Sequence, residues 1–244
     1  MNRGILLLCG MGFALLPFFQ FFRGTPHQLA AIKELEESVP DDLLDEDADW
    51  FQAWKESGYD QQIYMPYFSQ LDNKTGTGHR ECFSSAAAMV AAYYLKVATD
   101  DEYNAIRSQF GDTTSIDAHL LTLGTLGLKA EFRKDGDATM VELEVENGRP
   151  VLVGWLHQGN MLRGESPTCS GMGCGHWSVI SGYAGKNSSD PEWIMQDPRG
   201  YPEMEKGGHS NPHLGRNVRV RQAAFHQRWQ VEGPGTGWVI LVNE

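Results

Sequence analysis

From Phe83 to Leu95 the sequence reads Phe-Ser-Ser-Ala-Ala-Ala-Met-Val-Ala-Ala-Tyr-Tyr-Leu, with no polar position after Ser85. A helix this apolar on every side belongs inside a protein, surrounded by other elements. Its alanines let neighbouring backbone come close. The chain has 244 residues, enough for one main domain plus a tail. Hydrophobic residues make up 41% and charged ones 21%, a globular balance rather than a disordered one.

The elements around that helix follow from periodicity. Ser115 to Leu126 reads as a helix with Ile116, Leu120, Leu121 and Leu123 apolar. Thr139 to Glu146 reads as another, ended by Asn147-Gly148. Three apolar runs then predict strands: Pro150 to Leu156, Trp177 to Tyr183, and Trp193 to Gln196. Val220 to Trp229 is expected as a short helix and Gly237 to Val242 as a closing strand. Helices in the first half and strands in the second predict an α+β fold, with the apolar helix packed on an antiparallel sheet.

The N-terminus is organised differently. Gly4 to Phe22 is apolar, preceded by Arg3 and followed by Arg23. Residues 1–24 therefore read as a signal peptide or membrane anchor, which implies an exported or membrane-attached protein. Residues 25–57 read as an acidic linker or a pro-segment covering a cleft. The formal net charge is −12, and the stretch from Lys33 to Asp49 carries nine acids and one lysine, so it supplies most of that charge. Such a balance argues against nucleic acid as the main partner. Gly58 marks the start of the folded domain, 58–244.

Four cysteines are present: Cys9, Cys82, Cys169 and Cys174. That is too few for a disulfide scaffold. Cys82 stands alone, at the start of the apolar helix and just after the loop Thr75-Gly-Thr-Gly78. A cysteine nucleophile attacks as thiolate, and unpaired N–H groups at a helix start stabilise negative charge, so this placement is expected to lower its pKa. The reaction further needs a base, a group to orient it, and a donor facing the oxyanion. His176 opens one predicted strand and Asp197 ends the next, so they are the candidates for base and orienter. His157, at the end of the first strand, is the rival base. His79 lies nearer Cys82 in sequence but on a loop expected to be flexible. Asp72 and Asn73 read as turn-formers before the helix. Gln70 is the candidate oxyanion donor through its side-chain amide, with the backbone N–H of Cys82 as the second.

Metal chemistry is not expected. The spacing of Cys169, Cys174 and His176 fits no strong zinc pattern, and a disulfide between the two cysteines suits an exported protein better. His209 and His213 fall in a Gly/Asn/Pro-rich stretch expected as a surface loop, one that could line the cleft. No cofactor is implied.

Four motifs occur in order: Gln70-Leu-Asp-Asn73; Glu81-Cys-Phe-Ser-Ser-Ala-Ala-Ala-Met89; Gly175-His-Trp-Ser-Val-Ile-Ser-Gly-Tyr183; and Gln196-Asp-Pro-Arg-Gly200. Together they resemble the papain-like cysteine peptidases related to the bacteriocin double-glycine leader peptidases. The resemblance spans Tyr64 to Gly200 and implies a papain-like fold. It implies Cys82 as nucleophile, His176 as base, Asp197 as orienter and Gln70 as oxyanion donor, acting on a peptide or protein substrate in a bacterial or phage setting. The spacing from Gln70 to Cys82 is longer than the family's usual one, and no ATPase or transporter segment accompanies the domain, so the implied protein is a stand-alone thiol hydrolase. Two alternatives keep the fold: a binding or structural module without turnover, or a cell-wall amidase or acyl transferase using the same triad.

Overall fold

The computed structural model describes residues 59–169 and 174–244. The segments expected as signal or anchor (1–24) and as linker or pro-segment (25–57) lie outside the described residues. Among the described residues no helix is long and apolar enough to cross a membrane.

The apolar helix α1 spans Cys82–Tyr93, and every residue from Phe83 to Tyr93 is buried. Helix α2 (Asp100–Arg107) starts at Thr99, whose hydroxyl caps the Glu102 N–H. Helix α3 (Ile116–Thr125) is capped by Ser115, and α4 (Ala138–Glu146) by Asp137. Helix α5 spans Gln222–Trp229. The strands are β1 (Tyr59–Gln62), β2 (Lys129–Gly136), β3 (Val151–Leu156), β4 (Gly175–Ala184), β5 (Glu192–Gln196), β6 (Val218–Arg221) and β7 (Gly237–Asn243). They form one antiparallel sheet in the order β2-β7-β3-β4-β5-β6, with β1 beside β4. Helix α1 packs on β4 and against α2. The chain thus adopts the expected α+β architecture.

Two expectations change. Val220 to Trp229 is not a helix throughout: Val218-Arg-Val-Arg221 alternates with period two and pairs with β5, Val220 opposite Trp193, before α5 begins at Gln222. Strand β2 interrupts the helical first half. It carries five charged side chains and one large apolar one, Phe132, so its pattern is weak, and it is held as the edge partner of β7.

Candidate active site

The sheet register brings His176 and Asp197 together. Strands β4 and β5 are antiparallel with Val179 opposite Gln196, so Asp197 follows on beside Ser178. His176 and Ser178 are two residues apart and share a face. Both reach the carboxylate: His176 Nε2 lies 2.9 and 3.0 Å from the two oxygens, and Ser178 Oγ donates at 2.9 Å. Trp155 Nε1 donates in turn to Ser178 Oγ at 3.0 Å.

The turn after Asp197 is equally constrained. The Arg199 N–H donates to the carboxylate at 2.9 Å, and the Gly200 N–H to the Asp197 carbonyl at 3.2 Å. Gly200 has φ +111°, and a Cβ there would strike the backbone of Asn211 and Pro212. The Gln70 N–H donates to the Pro198 carbonyl at 2.8 Å, tying the first motif to the last.

The long spacing from Gln70 to Cys82 is absorbed by a loop that folds back on itself. Gln70 Nε2 donates to the Gly78 carbonyl at 2.6 Å, and a side chain at Gly78 would collide with the Gln70 carbonyl. The buried Glu81 carboxylate accepts from Asn73 Nδ2, Thr75 Oγ1 and Thr77 Oγ1 at 2.7–2.9 Å. The loop before Cys82 is therefore pinned by side chains, where the sequence suggests flexibility. Asn73 serves the turn, as expected, and Gly78–Arg80 forms a short 3-10 turn.

Gln70, Cys82, His157, His176, Trp177 and Arg199 all line one cavity of about 750 Å³. Trp177 forms one wall, stacked on Phe83 with ring centroids 4.1 Å apart, and it lies across Gly154, where a Cβ would meet its ring. Cys82 is half-buried and free. Among the described residues no hydrogen bond links its sulfur to the His176 ring; the N–H groups of Trp177 and Phe83 face it instead. Of the Gln70 amide, Nε2 keeps a second N–H beyond the one used on Gly78.

The electrostatics correct one expectation. Burial pushes the Cys82 thiol up to about 11, and the N–H groups of Trp177 and Phe83 with the Arg199 charge pull only partly against it. Desolvation thus outweighs the helix start. Burial likewise pushes the His176 imidazole down to about 4, against the attraction of Asp197. Burial opposes ionisation of Asp197 too, but the neighbouring His176 and His209 hold its carboxyl well below the usual carboxylate range. Burial thus favours the neutral thiol and the neutral imidazole, beside a carboxylate held ionised.

His209, on a loop expected at the surface or lining the cleft, is buried at the carboxylate. Its Nε2 lies 3.2 and 3.3 Å from the two oxygens of Asp197, and its side chain is 4% exposed. Its Nδ1 is buried without a hydrogen-bond partner among the described residues. The ring sits 4.5 Å from that of His176 and 5.9 Å from Trp155. Paired glycines, Gly207 and Gly208, both with positive φ, turn the chain back so that His209 bridges to Pro202. Nothing periodic marks such a residue; His213, four positions on, is exposed as expected. The rival base His157 lines the cavity, but it is His176 and His209 that hold the carboxylate.

His176, Asp197 and His209 also offer three ligand atoms within 4.8 Å of one another, a spacing open to a metal ion. Hydrogen bonds among the same atoms already satisfy them. Cys169 and Cys174 are joined as a disulfide just before His176, so their sulfurs are not metal ligands.

No family model matches the chain, and no curated protein does. Among solved structures it is similar to a putative C39-like peptidase from Bacillus anthracis, with 15% identity and a TM-score of 0.49 over 76% of this chain and 99% of that one. It is also similar to a double glycine motif protease from an AMS/PCAT transporter, solved with a leader peptide, at 16% identity and a TM-score of 0.44 over 74% and 92% of the two chains. The peptidase domain of Streptococcus ComA gives 16% identity and a TM-score of 0.40 over 67% and 90%. What the cavity can do chemically follows from its own residues.

Proposed function

We propose that this chain is a thiol hydrolase that cleaves a peptide or isopeptide bond. The observation that carries the reading is the placement of Cys82, His176 and Gln70 on one cavity, with Asp197 fixed behind the imidazole. Cys82 transfers its proton to His176 as its sulfur attacks the substrate carbonyl carbon. Because thiol and imidazole start neutral, His176 works as a general base during attack. The oxyanion takes hydrogen bonds from the Gln70 amide and the Cys82 N–H, one of the unpaired donors at the start of α1. His176 then gives its proton to the leaving amine, and water, deprotonated by His176, releases the acid from the thioester. Asp197 fixes the ring so that Nδ1 is left for the sulfur.

The first test is hydrolysis of a casein peptide mixture followed by mass spectrometry. Wild type is expected to generate new termini and Cys82→Ala none; equal cleavage by the two proteins rejects the nucleophile.

In this reading His209 clamps Asp197 alongside His176, both Nε2 atoms reaching the same carboxylate. Its loss removes one charge-assisted hydrogen bond. His209→Ala is expected to lower kcat about tenfold with KM unchanged, and His209→Gln, which keeps a donor, to recover most of it. Equal loss in both variants would point to packing alone.

A further inference from the structure

The permanent charges on the cavity wall share one sign. His79, Arg80, His157, His176 and Arg199 line it, and among the described residues no aspartate or glutamate does. Two of these carry a permanent charge. Arg80 is already matched by Asp112 at 3.0 Å, with both side chains about half exposed. Arg199 is different. Among the described residues its side chain has no carboxylate partner, and its hydrogen bond is from NH1 to the His79 carbonyl at 3.2 Å. A guanidinium presents five N–H donors in a planar fork. The His79 carbonyl takes one and leaves the others for something else. The backbone holds the residue in place: its N–H is bound to Asp197, and Gly200 closes the turn behind it. The fork therefore starts from a fixed root, on the same cavity as the Cys82 sulfur.

We propose that Arg199 forms an anion subsite beside Cys82, so that the favoured substrates carry a carboxylate next to the scissile bond. A guanidinium with unused donors is the group that pairs a carboxylate bidentately. No acid on the cavity wall competes for it. Two sources supply the same chemistry: an aspartate or glutamate side chain flanking the cleaved bond, or the terminal carboxylate of a short peptide.

This inference deepens the thiol-hydrolase reading and rests on it for the word substrate, but its test does not need a substrate. Iodoacetate and iodoacetamide both alkylate a thiolate by displacing iodide, and differ in that the first carries a carboxylate. The two alkylation rates at Cys82 are measured by mass spectrometry of the peptide that contains it, in wild type and in Arg199→Gln. The ratio of the iodoacetate rate to the iodoacetamide rate is expected to fall about tenfold in the variant, the scale of one charge-assisted pair. Arg199→Lys, which keeps the charge without the fork, should fall between. A ratio equal in all three proteins overturns the subsite. Failure of the hydrolase reading looks different: the ratio responds to Arg199 while no peptide is cleaved. The source of the anion is then read from matched peptides, Glu against Gln beside the cleaved bond and free acid against amide at the terminus. Wild type cleaving neither acid form faster than its neutral partner also overturns the proposal.

Discussion

Replacing His176 with alanine is expected to lower kcat/KM by about 10³- to 10⁴-fold, the range for removing a general base and its oriented pair. The fold should survive, because Asp197 keeps hydrogen bonds from Ser178 Oγ, the Arg199 N–H and His209. The variant should also lose a pH dependence. As the proposed base His176 acts only when neutral, and burial pushes its imidazole down to about 4. Above that value the ring is ready to accept the Cys82 proton; below it the ring is protonated and activity is lost. The acidic limb of kcat/KM against pH is therefore expected near 4 in wild type, well below the range of an ordinary histidine at about 6.5. At the other end the thiol is pushed up to about 11, so no alkaline change from Cys82 is expected near neutrality. A pH profile from 3.5 to 9, as an approximate working range in which a domain of this kind stays folded, checks both limbs. A limb near 6.5 would mean that the imidazole is better solvated than its surroundings suggest.

The second large effect concerns stability. Arg228 is fully buried, and its guanidinium donates to the carbonyls of Leu156, Gln158, Gly159 and Met204. These carbonyls belong to the two loops that carry His157 and His209, so one side chain fastens both to α5. Arg228→Met keeps much of the volume and leaves four carbonyls without their donor. Each buried unsatisfied group costs about 1–3 kcal/mol, partly relieved by relaxation, so a loss on the order of 3–5 kcal/mol is expected. Urea unfolding should show a lower midpoint with an unchanged slope. Arg228→Lys, with a point charge in place of the fork, should lose less. A midpoint equal to that of wild type for Arg228→Met would mean that water replaces the guanidinium without penalty.

The parts of this fold that were readable from sequence are those where local pattern and burial agree. Phe83 to Leu95 reads as a buried helix; α1 is buried from Phe83 to Tyr93 and stops there, with Leu95 exposed at φ +58°. The strands carrying His176 and Asp197 are apolar runs bounded by glycine and proline, and they appear as β4 and β5. Their pairing was not readable, because register is fixed between strands that a local pattern cannot align. Val179 opposite Gln196 is what turns two separate candidates into a hydrogen-bonded pair. Strand β2 escaped for a related reason: Lys129, Glu131, Lys134 and Asp135 are exposed at a sheet edge, and only pairing with β7 makes them a strand. His209 escaped because the loop that delivers it is built from glycine conformations and carbonyl contacts to Arg228, which leave no periodic trace. The raised thiol pKa reverses the sequence expectation, since placement at a helix start can be read from order alone while desolvation depends on what closes over the sulfur.

The central claim is that Cys82 forms an acyl intermediate with help from His176. p-Nitrophenyl acetate tests it with a defined acyl group. Acid quenching after a few seconds and mass spectrometry of the digested protein would locate the acetyl group. The account predicts acetyl on the peptide containing Cys82 in wild type, released on longer incubation, and a much slower acylation at the same site in His176→Ala. Acylation of Cys82 at the same rate in both proteins, or none at Cys82 in wild type, would contradict it.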